Sequence, residues 1–204
     1  MSRSINKTTA FLSALLGMII FFGMTICMES YAKAKTPSAY STSNLSSDED
    51  PDADGDSKGI NFFPSLRVAT GNKIFIFDPN HTAWAVYDEE GNRINTGKAS
   101  GGRLYCPDVG RRCTTVSGEF KIVSKGGAGC TSSKYPIETN GGAPMPYCMH
   151  FGSKGYAIHG SNDVPHNRNA SHGCIRITPT AAKWLNQNFV EIGTAVLVYP
   201  YNNN

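Results

Sequence analysis

The residues 171–177, Ser-His-Gly-Cys-Ile-Arg-Ile, decide how the rest of this chain is interpreted. A cysteine that follows glycine and lies between histidine and arginine is typical of nucleophilic chemistry, because the thiolate is the reactive form and nearby cationic or basic groups lower the pKa of the thiol. Gly173 lets backbone approach a substrate closely, and the amides of Gly173 and Cys174 are candidate donors to an oxyanion. The alternation of Ile175, Arg176 and Ile177 predicts a strand with both isoleucines towards the core and Arg176 towards the pocket.

The spacing of these residues resembles a known signature. His159-Gly160 followed by Ser-His-Gly-Cys-Ile-Arg is similar to the pattern of the L,D-transpeptidase catalytic domain of bacterial cell-wall enzymes. Residues 115–122 resemble the Thr-Pro-x-Gly-x-Phe strand of that family, with Val116 in place of the usual proline. Residues 144–147 and 156–160 resemble the strand pair that leads into the site. The resemblance covers residues 67–199 and implies a β-sandwich whose catalytic cysteine lies on a loop near its edge.

The resemblance assigns roles to five residues around this loop. Cys174 is the expected nucleophile, and His159 is the expected general base and acid that takes the thiol proton and returns it to the departing amine. The carbonyl of Gly160 is expected to hold the other ring nitrogen of His159 and so fix its tautomer. His172 is a second candidate that lines the pocket, and Ser171 is expected to hydrogen-bond locally.

Three further residues are candidates for binding substrate. The guanidinium of Arg176 can hold a stem-peptide carboxylate through two hydrogen bonds, although a surface role is the alternative. Tyr147 and Met145 are candidates for lining the acyl-donor channel, although such side chains are more often found in a core. The polar loop at residues 162–169 is expected to form a lid or wall over the cysteine.

Two groups of residues in the sequence are possible metal sites, and the sequence favours neither. Zinc prefers histidine and thiolate ligands. The candidate ligands are His159, His166, His172 and Cys174, and their spacing matches no common zinc motif. Residues 50–55 begin like a calcium-binding loop, but Asn61 replaces the bidentate glutamate such a loop requires at its twelfth position. The sequence therefore predicts an enzyme that uses no metal and no cofactor.

The cysteine count agrees with an exported protein. Five of the six cysteines follow the N-terminal segment, and an odd number indicates one free thiol. If Cys174 is that thiol, four remain for two bridges, and three connectivities are possible. We favour Cys106–Cys113 and Cys130–Cys148, because the first pair encloses a short turn-forming loop; four reduced, buried cysteines are the alternative. Disulfides persist in oxidising compartments such as the bacterial periplasm.

The N-terminal third has two parts. Residues 1–34 combine a positive start, an apolar run at 10–26 and an Ala-Lys-Ala site, which predicts a cleaved signal peptide; an uncleaved anchor is the alternative. A lipoprotein signal ending at Cys27 is disfavoured, because such a signal has a small residue just before the cysteine and Ile26 is large. Residues 35–66 are rich in serine and aspartate and predict a flexible acidic linker. We therefore expect a protein of the periplasm or cell wall, associated with membrane only if the segment is uncleaved.

The remaining chain predicts one mainly β catalytic domain at residues 67–200, followed by a polar tail at 201–204. Short runs of β-forming residues separated by turn signals predict strands at residues 73–78, 82–88, 93–96, 118–124, 147–152, 155–159 and 195–199. One short helix is predicted, with Thr178 as its N-cap, Pro179 in its first turn and Gly193 at its end. Many strands and a single helix favour a β-sandwich or barrel.

Charge and signature together define the expected function. From Ile60 onward there are 14 Lys and Arg against 9 Asp and Glu, a net charge of +5 that suits an anionic wall, and no nucleic-acid-binding pattern is present. The resemblance implies an exported L,D-transpeptidase that forms a thioester with peptidoglycan stem peptides and passes it to a second stem or an attached protein. The alternatives are an L,D-carboxypeptidase or endopeptidase and a non-catalytic wall-binding or surface-interaction protein.

Overall fold

The computed structural model describes residues 63–202. The expected signal peptide at residues 1–34 lies outside the described residues, as does Cys27. The same holds for residues 35–62 of the expected linker, which include the calcium-like pattern, and for residues 203–204 of the expected tail. Within residues 63–202, no helix is long and apolar enough to cross a bilayer.

The described chain is mainly β, as the sequence predicts. Its eight strands lie side by side in the order β3-β2-β1-β8-β4-β5-β6-β7. Most neighbours are antiparallel, whereas β1 with β8 and β6 with β7 are parallel. The strands are β1 Ile74–Asp78, β2 Ala83–Tyr87, β3 Arg93–Lys98, β4 Gly118–Lys125, β5 Met149–Phe151, β6 Tyr156–Gly160, β7 Ile175–Ile177 and β8 Ala195–Val198.

Strand β4 belongs to two sheets and makes the two-layered arrangement possible. Its first half, from Gly118 to Lys121, pairs with β8, and its second half pairs with β5, with a register shift between Ile122 and Ser124. A strand that bends at such an irregularity can pass from one sheet to the next. The sheet of β1, β2, β3 and β8 thereby continues into the sheet of β5, β6 and β7, which carries the site.

The main core lies between these layers. It contains buried aromatic and aliphatic side chains from both halves of the strand order and from the helix. Phe75 stacks on Trp84 with ring centroids 5.8 Å apart, and Phe151 stacks on Tyr156 at 6.0 Å. Strands β1 and β2 are buried along almost their whole length. Their residues therefore do not alternate between buried and exposed, as the residues of a half-exposed strand do.

The single helix starts as predicted but ends earlier. Helix α1 spans Pro179–Trp184 and continues as one π-helical turn at Leu185–Phe189. The hydroxyl of Thr178 caps it by accepting a hydrogen bond from the amide of Ala181 at 3.3 Å. The prediction that Gly193 ends the helix is wrong, because Val190 already has an extended backbone and Gly193 lies in the turn before β8.

Both ends of the folded unit reach slightly beyond the expected boundaries. Phe63 falls in the expected linker, but it is only 3% exposed. It packs in a second cluster of buried side chains, separate from the main core, that comes mainly from β1 and β2. The hydroxyl of Tyr87 donates to the carbonyl of Pro64 at 2.8 Å. At the other end, the hydroxyl of Tyr201 accepts a hydrogen bond from the amide of Thr115 at 3.2 Å. Tyr201 is therefore part of the packed domain rather than of a polar tail.

Candidate active site

The parallel pair β6 and β7 brings the central residues of the site to one face. His159 stands opposite Arg176, and Ile158 stands opposite Ile175. Cys174 lies in the bend that directly precedes β7, two residues before Arg176. Arg176 and His159 are neighbours on one face of the paired strands, whereas Ile175 and Ile177 are buried in the core. The predicted strand at Ile175–Ile177 is present.

Cys174 is the free cysteine of the described residues and is partly exposed. It packs against a small buried cluster of Met145, Cys148 and Ala157. Burial raises the pKa of its thiol, and the smaller effects of hydrogen bonding with the backbone of Ala157 and of the charge on Arg176 lower that pKa. The expectation of a lowered thiol pKa is therefore wrong in direction, because desolvation of the thiolate outweighs the neighbouring cation.

His159 is held in one ring orientation near the end of β6. Its side chain is only 6% exposed, and Nδ1 lies 2.9 Å from the carbonyl oxygen of Gly160. A carbonyl only accepts, so Nδ1 carries the proton and Nε2 is left with its lone pair. Burial is the main reason that the pKa of His159 falls to about 4, and the charges on Arg176 and His150 lower it further. His159 is therefore a neutral base at neutral pH.

Gly160 supports this arrangement in two ways. Its carbonyl accepts from His159, as the sequence analysis expects, and its amide donates to the carbonyl of Pro146 at 2.9 Å. A Cβ atom at this position would lie 3.0 Å from Cα of Pro179 and 3.1 Å from Cγ of Pro146. Glycine is needed here because the start of the helix and the segment before β5 both approach the strand closely.

Ser171 organises the loop that presents Cys174. Its hydroxyl donates to the carbonyl of Cys174 at 2.5 Å and accepts from the amide of Gly173 at 3.0 Å. Ser171 therefore hydrogen-bonds locally, as expected, and it is 2% exposed. The proposed oxyanion role of Gly173 is not supported, because its amide is already committed to Ser171. The amide of Cys174 stays the candidate donor.

Gly173 is nevertheless required by the shape of the loop. Its φ of +131° is a conformation that residues with a side chain rarely adopt. A Cβ atom there would also lie 2.9 Å from Cε1 of Tyr156. The glycine therefore allows the turn before Cys174 and leaves room for the aromatic ring on β6.

His172 is fixed from two sides. Its Nε2 lies 2.5 Å from Oδ2 of Asp108, and its ring stacks on Tyr135 with centroids 4.4 Å apart. The hydrogen bond to His172 is the main reason that the pKa of the Asp108 carboxyl is lowered. His172 thus contacts residues from two separate loops, each closed by a disulfide.

Arg176 is a cation whose charge lowers the pKa of both Cys174 and His159. Its Nη1 lies 2.6 Å from Oδ2 of Asp163, and the arginine side chain is 22% exposed. The guanidinium thus already has a carboxylate partner in the loop at residues 162–169. Asp163 is 65% exposed, so a substrate carboxylate can compete with it for the arginine.

The two candidates for the acyl-donor channel have different surroundings. Met145 is 6% exposed and belongs to the buried cluster against which Cys174 packs. Tyr147 has a φ of +56° and packs against the main core. Its carbonyl and that of Cys148 each lie 3.4 Å from Nδ2 of Asn186. For Tyr147 the structure therefore indicates a packing role.

The expected disulfide pairing is present. Cys106 bonds to Cys113 and Cys130 bonds to Cys148. The first bridge closes the loop that carries Asp108, and the second closes the loop that carries Tyr135. Both loops border the residues before Cys174.

The structure does not gather the four residues weighed as zinc ligands. Within residues 63–202, the group of side chains close enough to share an ion is Cys106, Asp108 and His172. The sulfur of Cys106 is bonded to Cys113 and is not a thiolate, so this group lacks a complete ligand set. His166 is exposed, and its carbonyl accepts from the hydroxyl of Thr82, which fastens its loop to the turn before β2.

Three contacts to the site were missed by the sequence analysis. Asp108, Tyr135 and Asp163 lie 64, 37 and 13 residues from their partners His172, His172 and Arg176. Each sits in an irregular loop with no periodic pattern, so no local signal places it. The bridge at Cys106–Cys113 could have indicated that Asp108 lies near the site, had its position in the fold been known.

The family model described as YkuD, L,D-transpeptidase catalytic domain, matches residues 71–198. No curated protein sequence matches the chain. An L,D-transpeptidase structure from Xylanimonas cellulosilytica has 28% identity and a TM-score of 0.55, with 67% of this chain and 65% of that chain covered.

Two other solved structures share the fold at lower identity. L,D-transpeptidase (Yku) from Stackebrandtia nassauensis is 22% identical with a TM-score of 0.54, covering 70% of this chain and 62% of that one. L,D-transpeptidase 3 from Mycobacterium tuberculosis, solved with a faropenem-derived adduct, is 22% identical with a TM-score of 0.51, covering 63% and 60%. The chain thus spans a little under two-thirds of the length of these solved relatives. The family match over residues 71–198, which span all eight strands and include Cys174 and His159, means that the chain belongs to the L,D-transpeptidase catalytic-domain family.

Proposed function

We propose that this protein is an L,D-transpeptidase that acts on peptidoglycan stem peptides through a thioester on Cys174. The proposal depends on one observation. The free Cys174 directly precedes β7, the strand that pairs with the strand of His159, and Nδ1 of His159 is held by the Gly160 carbonyl so that Nε2 is left to accept a proton. A cysteine with a neutral imidazole as its base is a suitable arrangement for acyl transfer.

The first half-reaction forms the acyl-enzyme. As the sulfur of Cys174 attacks the carbonyl of the third stem residue, its proton passes to Nε2 of His159. The bond from that carbonyl carbon to the nitrogen of the terminal D-alanine breaks, and the proton returns from His159 to this nitrogen. The products are a thioester at the L-centre of the diamino acid and free D-alanine.

The second half-reaction transfers the acyl group. A primary amine of a second stem, or of an attached protein, gives a proton to Nε2 of His159 and attacks the thioester carbon. The carbon–sulfur bond breaks, and the sulfur recovers its proton from His159. One amide bond breaks and one amide bond forms, so the reaction requires neither a nucleotide nor a cofactor.

The resting enzyme has a neutral pair rather than an ion pair. Burial raises the pKa of the Cys174 thiol and lowers the pKa of His159 to about 4, so both groups are uncharged at neutral pH. The proton therefore moves during attack on the substrate rather than before binding. The charge on Arg176 favours the thiolate, which helps this step at the moment of transfer.

We propose that the protein acts outside the cytoplasm, in the periplasm or cell wall. Two features support this location. The described domain contains two disulfides, which persist in oxidising compartments. The sequence of residues 1–34 has the charge and apolar run of a signal peptide.

Incubation of the purified protein with a muropeptide that carries a tetrapeptide stem tests the proposal. We expect cross-linked dimer and free D-alanine, both detected by mass spectrometry, and neither product with Cys174→Ser. A tripeptide without dimer would replace transfer with hydrolysis, the carboxypeptidase alternative. The same protein is incubated with faropenem, because a relative of the same fold was solved with a faropenem-derived adduct. Unchanged muropeptide together with an unmodified Cys174 would refute both catalytic readings.

A further inference from the structure

His172 lies where two disulfide-closed loops meet. Asp108, between Cys106 and Cys113, contacts Nε2 of His172 at 2.5 Å. Tyr135, between Cys130 and Cys148, stacks on the same ring at 4.4 Å and an interplanar angle of 26°. The hydrogen bond holds one edge of the imidazole ring, and the tyrosine ring packs on its face. Together the two contacts fix the orientation of the imidazole.

Both contacting residues are themselves held by their loops. The amide of Cys106 donates to the carbonyl of Arg111 at 2.9 Å, which closes the short loop around Asp108. The amide of Tyr135 donates to the hydroxyl of Ser132 at 2.9 Å. Loops that are closed by a bridge and by backbone hydrogen bonds lose little further entropy when their side chains meet a partner.

The contact with Asp108 selects one form of His172. The pKa of the Asp108 carboxyl is lowered, chiefly by the hydrogen bond to His172, so the carboxylate is ionised at neutral pH and can only accept. The proton of a neutral His172 therefore lies on Nε2, and Nδ1 has a free lone pair. His159 has the reverse arrangement, with its proton on Nδ1 facing Gly160. The two histidines of the site thus offer opposite nitrogens.

We propose that Asp108 is a positioning residue that fixes His172 in its Nε2-protonated tautomer and in its orientation at the Cys174 site. A substrate that reaches His172 then meets a hydrogen-bond acceptor at Nδ1 in every molecule rather than in a fraction of them. The role in turnover rests on the proposed function; the role in the tautomer does not. Loss of orientation in a preorganised site costs roughly ten- to a hundredfold in rate.

Nitrogen-15 NMR of the imidazole rings tests the tautomer directly. The five histidines of the full chain are few enough to resolve, and His172→Gln identifies the signals of His172. In the neutral ring of the wild type we expect the proton of His172 to lie on Nε2 alone. In Asp108→Ala the neutral ring should populate both tautomers, and in Asp108→Asn the side-chain oxygen should restore most of the Nε2-protonated form. A proton on Nδ1 of the neutral wild-type ring, or an unchanged ring in Asp108→Ala, would overturn the proposal.

Kinetics on the muropeptide give the second measurement. We expect kcat/KM to fall roughly ten- to a hundredfold in Asp108→Ala, with partial recovery in Asp108→Asn. The matched control is Glu191→Gln, which removes a carboxylate whose side chain is 76% exposed and pairs with Lys73 at 3.1 Å. A wild type that reacts with neither muropeptide nor faropenem refutes the proposed function, whereas the NMR result decides the positioning role independently. Equal kcat/KM in Asp108→Ala and wild type would refute the role in turnover.

Discussion

Arg176 stands directly opposite His159 across the parallel strands β6 and β7, two residues after Cys174. Its positive charge lowers the pKa of His159 and the pKa of Cys174. For the histidine this favours the neutral base, and for the cysteine it favours the thiolate nucleophile. One cation therefore favours the reactive form of both partners, although burial decides the direction of the thiol pKa.

The reactivity of Cys174 should rise only at alkaline pH. Because burial raises the pKa of this thiol above its ordinary value of 9.0, the rate of alkylation by iodoacetamide should increase with a midpoint above pH 9. Arg176→Gln should move the midpoint higher still, whereas Lys154→Gln, on the exposed turn between β5 and β6, should leave it unchanged. Mass spectrometry of the peptide containing Cys174 measures the rate. A midpoint at or below 9 would contradict the account of the thiol.

His159 should make the fold sensitive to acid. Its pKa is about 4 in the folded protein and about 6.5 when unfolded, so the unfolded state binds more protons as pH falls from 6.5 to 4. The stabilisation is fully present above pH 6.5 and is lost on acidification through this window, by about 3 kcal/mol at ~1.4 kcal/mol per pH unit. Urea unfolding at pH 7 and pH 4 measures it. The loss should be smaller by this amount in His159→Gln, and equal losses in both proteins would disprove the assignment.

Gly173→Ala should disturb the loop before the nucleophile. The substitution meets a φ of +131° and places Cβ 2.9 Å from the Tyr156 ring, so we expect a destabilisation of about 1–3 kcal/mol and slower acylation by faropenem. Gly127→Ala is the matched control, because a Cβ atom there has nothing within 4 Å. Thermal unfolding and adduct mass follow both effects. Equal behaviour of the two variants would mean that the loop tolerates a side chain.

Removal of the Cys130–Cys148 bridge should cost about 3 kcal/mol, because the bridge closes a loop with a sequence separation of 18. The double variant Cys130→Ala/Cys148→Ala avoids a stray thiol near Cys174. The corresponding double variant at Cys106 and Cys113, with a separation of 7, should lose less, about 2 kcal/mol. Guanidinium unfolding without reductant compares them. A larger loss from the shorter loop would show that chain entropy is not the main effect.

The sequence predicts the strands well where the local pattern and the fold agree. Residues 73–78 and 82–88 contain β-forming runs on either side of a turn, and β1 and β2 lie there. The predicted end of the helix at Gly193 is wrong, because Val190 already has an extended backbone after one π-helical turn. That turn depends on packing of Leu185 and Phe189 into the core, which no local pattern reveals.

The candidate site could also be predicted only in part. The sequence around Cys174 suggests the nucleophile, whereas the choice of His159 over His172, and of Gly160 as its partner, depends on the resemblance to the L,D-transpeptidase family. The direction of the thiol pKa was mispredicted, since desolvation depends on how the cluster around Met145 packs against the sulfur. Asp108 and Tyr135 could not be predicted, because their contacts with His172 join loops that are distant along the chain.

Strand β8, the last strand along the chain, lies between β1 and β4 in the middle of the strand order. A growing polypeptide that has not yet produced residues 195–198 therefore lacks the strand that connects β1 to β4. Contacts so distant in sequence form slowly and late. Strands β1 to β3 are thus connected to the half of the strand order that carries Cys174 and His159 only after nearly all of the domain has been synthesised.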